Sequence, residues 1–217
     1  MARKRAALTR QGVVAQAVSL ADADGVGALS MRALATRLGV EAMSLYHHVG
    51  SKDVLLDAMV DAVFAEIHLP VVGAPWRVEM RRRGVSGRAA LLRHRWAVGL
   101  MDSRRQPGPA TMAHHDAVIG CLLRDGFDLP GTATAVALLD AQLYGFVLQE
   151  VALPFETPGE LAQIGADILG EQARAAYPHF AAFADGHALQ PGFAFADEFE
   201  PTLDLALDAV AGLRRAL

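Results

Sequence analysis

Three groups of residues in this chain have types and spacings that could do chemistry. The first is Ala42-Met43-Ser44-Leu45-Tyr46-His47-His48-Val49. Leu45 and Val49 stand four apart and claim one helical face, leaving a hydroxyl, a phenol and two imidazoles for the other. Arg32 and Lys52 flank the group with cations. Such a set suits a nucleic acid, in which hydroxyls and cations hold phosphates while side-chain tips reach base edges. For His47 and His48 a base contact and a plain half-exposed helix end are both open. The second group, His114-His115-Asp116, puts three metal-ligand types in a row. Successive helical residues point about 100° apart and a compact site prefers i, i+4 spacing, so a solvent-facing patch is expected, and no metal. The third, Gly84-Val85-Ser86-Gly87, lacks the Gly-x-Ser-x-Gly form and the preceding strand of a nucleophile elbow. No glycine-rich phosphate loop follows a strand. The chain is therefore expected to bind rather than to catalyse, with no catalytic residue and no cofactor.

The elements that must position the first group are well punctuated. Thr9 is placed to cap a helix that puts Val14, Ala17, Val18 and Ala21 on one face, and Asp24-Gly25 ends it. Ser30 caps a second helix with Leu34, Ala35 and Leu38 inward, stopped by Gly39, the residue best suited to a left-handed C′ position. Only Val40 and Glu41 precede the third, which Gly50 stops. Ser51 caps a fourth helix, expected from Lys52 to about His68, before Pro70. Two helices joined at a glycine, the second short and polar outside, have the sequence form of a helix-turn-helix. A three-helix bundle that merely packs would show the same pattern.

Composition limits what surrounds this head. The 217 residues are 53% hydrophobic and 20% charged, which is enough apolar chain for a real core and excludes general disorder. The net charge of −4 hides an asymmetry. Residues 1–52 hold seven basic and three acidic side chains, a net +4, against 13 basic and 21 acidic, a net −8, in the rest. A basic head on an acidic body suggests that the head alone meets a polyanion. The stretch Ala133 to Leu148 is interrupted by Asp140 and Gln142 and falls short of the roughly 20 residues of a membrane span, so it reads as a buried or interface helix. Met1-Ala-Arg-Lys-Arg5 has no apolar region behind it, and one cysteine, Cys121, makes no internal disulfide; a cytoplasmic protein with no membrane partner is expected.

The run Ala28-Leu-Ser-Met-Arg-Ala-Leu-Ala-Thr-Arg-Leu-Gly-Val-Glu-Ala-Met-Ser-Leu-Tyr-His-His-Val-Gly-Ser-Lys-Asp-Val-Leu-Leu-Asp57 resembles the DNA-binding signature of the TetR family, without a gap. The resemblance continues more weakly toward that family's tetracycline-repressor branch through Leu91-Leu-Arg-His-Arg95, Asp125-Gly-Phe-Asp-Leu129, Gly145-Phe-Val-Leu148 and Phe193-Ala-Phe195. It implies an all-α chain. Residues 1–52 would form a three-helix DNA-binding domain with a basic arm at 1–8, and residues 53–217 a larger helical domain for ligand binding and dimerisation. The function implied is a ligand-responsive regulator of transcription, most naturally a repressor; a small-molecule-binding protein with a vestigial head is the alternative.

Position by position, the resemblance implies that Arg32 reads a base edge, such as guanine O6 and N7, and that Lys52 meets a phosphate. Ala42, Met43, Ser44, Tyr46, His47 and His48 would face the groove. Ala42 stands where that branch has glutamine and Met43 where it has proline, so a different operator is expected; for Met43 a partly buried gap-filler is the alternative. In the body, His68, Arg83, Gly87 and Gln149 fall on ligand-contacting positions, and Met101 or Asp102 on that of a metal-binding histidine. The missing histidine argues against a metal-chelated drug. Gly87 in place of a ring would enlarge the cavity. Arg83, if inward, would want an acidic or carbonyl-bearing ligand, whereas the run Arg81-Arg-Arg83 suggests a solvated face. Met101, Met112, Leu139 and Tyr144 would supply apolar wall. The implied partners are operator DNA, an unidentified small-molecule effector and a second copy of the chain. Two helices suit a homodimer interface: Thr132 to Leu153, where Gly145 allows close approach, and Asp197 to Leu217, whose Phe199, Leu203, Ala206, Val210 and Leu213 form a stripe that either meets a partner helix or is intrachain core.

Overall fold

The computed structural model describes residues 8–101 and 103–214. It is helical throughout, and an isolated bridge between Val72 and Ala74 is the only β pairing among the described residues. Asp102 and residues 1–7 of the basic arm lie outside the described residues.

In the head, α1 (Arg10–Asp24) starts where Thr9 accepts a hydrogen bond from the Gly12 amide. Ser30 caps α2 (Met31–Leu38) through the Ala33 amide, and Gly39, at φ 65°, takes the left-handed conformation that turns the chain into α3 (Ala42–Val49). Ser51 caps α4 (Lys52–Phe64). All four boundaries are set by the residues whose chemistry predicts them. The face of α1 is offset from expectation: Val13, Ala17, Leu20 and Ala21 are buried, while Val14 and Val18 are half-buried.

The helix α4 is shorter than expected. It ends at Phe64, not near His68: the Glu66 and Ile67 amides bond three residues back, to Val63 and Phe64, and the side chains beyond find other partners. Glu66 turns to Arg93 and His94, and the His68 backbone N–H donates to Ser86 Oγ at 2.8 Å.

The body is built around α5 (Trp76–Arg93), α6 (Pro109–Arg124), α7 (Leu129–Ala152) and α11 (Phe199–Ala211). Three of them meet at the glycines of the third candidate group. A Cβ on Gly84 would stand 2.8 Å from Leu203 of α11, and one on Gly87 2.9 Å from Leu143 of α7. The absent side chains are the sockets into which the two leucines fit. Ser86 donates to the Arg83 carbonyl and accepts from His68, so this segment is a packing device. The α11 stripe is intrachain core: Phe199, Leu203, Ala206 and Val210 are all buried, and the Phe199 ring meets Phe146 edge-on at 5.1 Å. Of the two readings of this stripe, intrachain core holds, and the reading that it meets a partner helix does not. α7 has the length and apolar content to cross a bilayer. Its Thr132, Ala135, Leu139, Leu143, Phe146 and Val147 are instead buried within the chain. α8 (Pro158–Ile168), α9 (Glu171–Ala176) and α10 (Pro178–Phe183) form an outlying arm with a small cluster of its own around Leu169, Ala181 and Ala184.

Candidate nucleic-acid interface and effector cavity

On α3, Leu45 and Val49 are buried in the head, which turns Met43, Tyr46 and His47 to solvent. Met43 is 67% exposed, so it is no gap-filler. Ser44 and His48 lie half-buried on the margins, and Ala42 packs against the core edge. Arg32 projects from the first turn of α2 and Lys52 from the first residue of α4, both exposed and neither in an ion pair among the described residues. An exposed face combining hydroxyl, phenol, imidazole, thioether and two unpaired cations can hold phosphates at its edges and present soft and polar tips to bases between them.

α4 connects this face to the body, and one of its sides carries Asp53, Asp57 and Asp61, each one turn from the next. Arg104 donates from Nε to Asp57 at 2.6 Å and from Nη2 to the Asp53 carbonyl at 3.2 Å. One turn on, Asp61 Oδ1 accepts the Thr111 amide at 2.8 Å and its hydroxyl at 3.0 Å. The N-cap of α6 is Gly108, which has no side chain to offer, so α6 borrows its cap from α4. A Cβ on Gly108 would lie 2.3 Å from Asp61 Cγ, so the glycine is what admits the carboxylate. Against these links sits a cavity of about 340 Å³, walled by Val60, Met101, Arg104, Pro107, Met112 and His115 among others. Its polar lining is the Arg104 guanidinium paired with the Asp57 carboxylate, the His115 imidazole and the Thr111 hydroxyl, which suits a mainly apolar small molecule with a few hydrogen-bonding groups.

Residues 13–59 match the family described as bacterial regulatory proteins of the tetR family, and residues 69–214 match the tetracyclin repressor-like C-terminal domain. The chain belongs to the TetR family. An HTH-type transcriptional regulator from Saccharopolyspora erythraea is 40% identical over 149 residues, covering 68% of this chain and 63% of that protein. The class D tetracycline repressor from Escherichia coli is 31% identical over 148 residues, 67% of each. The chain thus spans somewhat less than two thirds of the Saccharopolyspora regulator. The crystal structure of the TetR family protein ActR from Streptomyces coelicolor in complex with actinorhodin superposes with a TM-score of 0.75 at 26% identity, covering 95% of this chain and 98% of that one.

Within this TetR-family body, the residues expected around a ligand are not gathered in one place. Met101 and Met112 line the cavity. Leu139 is core, Tyr144 is half-buried, and Gln149 is exposed and donates to the Gly145 carbonyl at 3.3 Å. His68 lies on an outer groove along α5, its Nε2 2.7 Å from Glu79 Oε2. The buried Glu79 carboxyl is held below the usual carboxylate range, first by the Val71 amide and then by His68. Gly87 opens no cavity, because Leu143 occupies the space.

Arg83 points inward, unlike its neighbours Arg81 and Arg82, and its acidic partner is already in the chain: it pairs with Asp140 of α7. Its Nε also faces His114 Nε2 at 3.4 Å. The solvent-facing patch expected of His114-His115-Asp116 is likewise overturned for both histidines. His114 is buried against the Phe64 ring, with centroids 5.3 Å apart. Burial, then the Arg83 charge, lower its pKa to about 3. His115 is half-buried and its Nδ1 bonds the Thr111 carbonyl at 2.8 Å; Asp116 alone is exposed. The sequence reading missed Asp57, Asp61, Arg104 and Thr111. The helical spacing of the aspartates was a legible signal, but nothing local names partners some fifty residues away.

Proposed function

We propose that this protein is a ligand-responsive DNA-binding regulator of transcription, most naturally a repressor, acting as a homodimer. Residues 1–52 read the operator, and residues 53–217 bind the effector and the second copy. The observation that carries this reading is the exposed polar face of α3, flanked by unpaired Arg32 and Lys52, on a head of the TetR family. Arg32, Met43, Ser44, Tyr46, His47 and His48 face the groove, with Ala42 at its edge and Lys52 on a phosphate. One such helix reads too few bases for tight binding, and two heads address half-sites roughly 34 Å apart. The outer side of α7, with Ala137, Leu138, Ala141 and Leu148 exposed and nothing within 4 Å of a Cβ built on Gly145, supports a partner helix there.

The effector occupies the cavity beside α4 rather than a site at His68. It displaces Arg104 and Thr111 from the α4 aspartates, and α4 carries the recognition helix with it. A ligand works such a switch only by binding the released state more tightly, by about 5.5 kcal/mol for a complete reversal. ActR, solved in complex with actinorhodin, supports a small-molecule effector for a chain of this fold.

A fluorescence anisotropy titration tests the reading, using the purified chain against its own upstream intergenic DNA and a scrambled duplex at one near-physiological salt concentration. Operator binding should exceed non-specific binding by roughly 10³ or more. Equal weak binding to every duplex offered, in a protein that still binds small molecules, would favour the vestigial head instead. Met112→Trp, which fills the cavity, should leave operator binding intact and abolish release by the effector.

A further inference from the structure

Where the head meets the body, three elements converge on one imidazole. His94 is the residue at which α5 stops, with φ −116° and ψ 58°, and it is 7% exposed. Its Nδ1 lies 2.8 Å from Asp22 Oδ1, on α1 of the head. Its Nε2 lies 3.1 Å from Glu66 Oε1, two residues past the end of α4. Each carboxylate has a second donor from the body. The Trp96 indole N–H reaches Asp22 Oδ1 at 2.7 Å, and Arg93 reaches Glu66 Oε2 at 2.6 Å. Desolvation raises the Glu66 pKa, but the hydrogen bonds from Arg93 and His94 outweigh it, so the group stays anionic. Both neighbours of the ring are acceptors; a neutral imidazole can donate to only one of them, and the imidazolium donates to both.

The placement matters because α4 is the covalent route from head to body. One helix fixes where a hinge lies but not the angle across it. An off-axis tie fixes the angle, and His94 with Trp96 supplies one, from the body to the far end of α1. We propose that His94 is the positioning residue that sets the angle between the DNA-reading head and the body, by holding Asp22 of α1 and Glu66 beyond α4 at once. A head that rotates about its junction with the body carries its recognition helix toward or away from the dimer axis, and so changes the distance between the two helices. His94 therefore selects the spacing between the half-sites that the dimer accepts. The inference rests on the DNA-binding reading above.

The test uses the full chain and duplexes selected by the unaltered protein from a random library, then resynthesised with spacers one base pair shorter and longer. The variants are His94→Asn, whose one amide nitrogen replaces the two ring nitrogens that face Asp22 and Glu66, and Asp22→Ala, which removes the acceptor of both His94 and Trp96. The unaltered protein should favour its selected spacer by about tenfold over either neighbour. Both variants should flatten that preference to within about threefold, with helical circular dichroism unchanged. Variants that bind every spacer more weakly in the same proportion, or only melt earlier, would show His94 to be packing alone and overturn the proposal. If the unaltered protein selects no sequence, the DNA-binding reading itself fails and this inference with it.

Discussion

The buried charges of the body and the exposed cations beside α3 of the head are handled differently. In the body, Arg83 pairs with Asp140, Arg88 with Glu150 while lying 5.0 Å over the Phe199 ring, and Glu79 collects Val71, His68 and Arg82. Each of these buried or half-buried charges has its partner within the chain, as desolvation demands. In the head, Arg32 and Lys52 stay exposed without an ion pair among the described residues, beside a polar helix face that nothing covers. Charges satisfied internally maintain a fold, whereas charges left open on a rigid surface await an outside partner. The −4 net charge therefore says less about partners than does the distribution of unpaired groups.

The sharpest way to break this comparison is to remove Arg83. Arg83→Leu strands a carboxylate at Asp140 and should cost about 3–5 kcal/mol in urea unfolding. A loss below about 1 kcal/mol would mean that the body's pairs are ornamental and the contrast false.

A pH series comes next. His114 is neutral when folded, with a pKa of about 3 against 6.5 for an unperturbed histidine, so the unfolded chain takes up the proton first. Its contribution is complete above pH 6.5 and is lost as pH falls below that, at up to about 1.4 kcal/mol per unit. His114→Gln should flatten that part of the stability curve; an unchanged slope would remove His114 from the account.

The head should respond in the other currency. Arg32→Ala should weaken operator binding by about 1–3 kcal/mol and relax preference at one base pair, while the urea midpoint stays put. Smaller still, Lys52→Ala should lower the slope of log K against log salt by about one, with little change in sequence preference. A head variant that shifts stability more than DNA affinity would blur the distinction.

Much of the head was legible in the sequence, because its boundaries depend on local chemistry. Thr9, Ser30 and Ser51 accept the amides their positions predict, and Gly39 takes the conformation its type permits. The body was legible only in class. His114 reads as a surface histidine until Phe64 and Arg83 close over it, and Gly87 reads as empty space until Leu143 fills it. Both depend on contacts between residues far apart in the chain, about which periodicity says nothing. The fourth helix is shorter than its sequence pattern for the same reason, since Glu66 and His68 leave it for partners on α5 and at its end.

The borrowed cap of α6 has one more consequence. A helix that begins with its own serine or aspartate keeps its first turn wherever it goes, but α6 keeps its first turn only while Asp61 stays beneath it. Any swing of α4 away from residues 108–111 exposes the Thr111 amide to water and frays that turn. Amide hydrogen exchange at the start of α6 would then accelerate in step with release of the DNA-reading head. On the proposed switch, a backbone proton on α6 would report the position of α3, which it never touches.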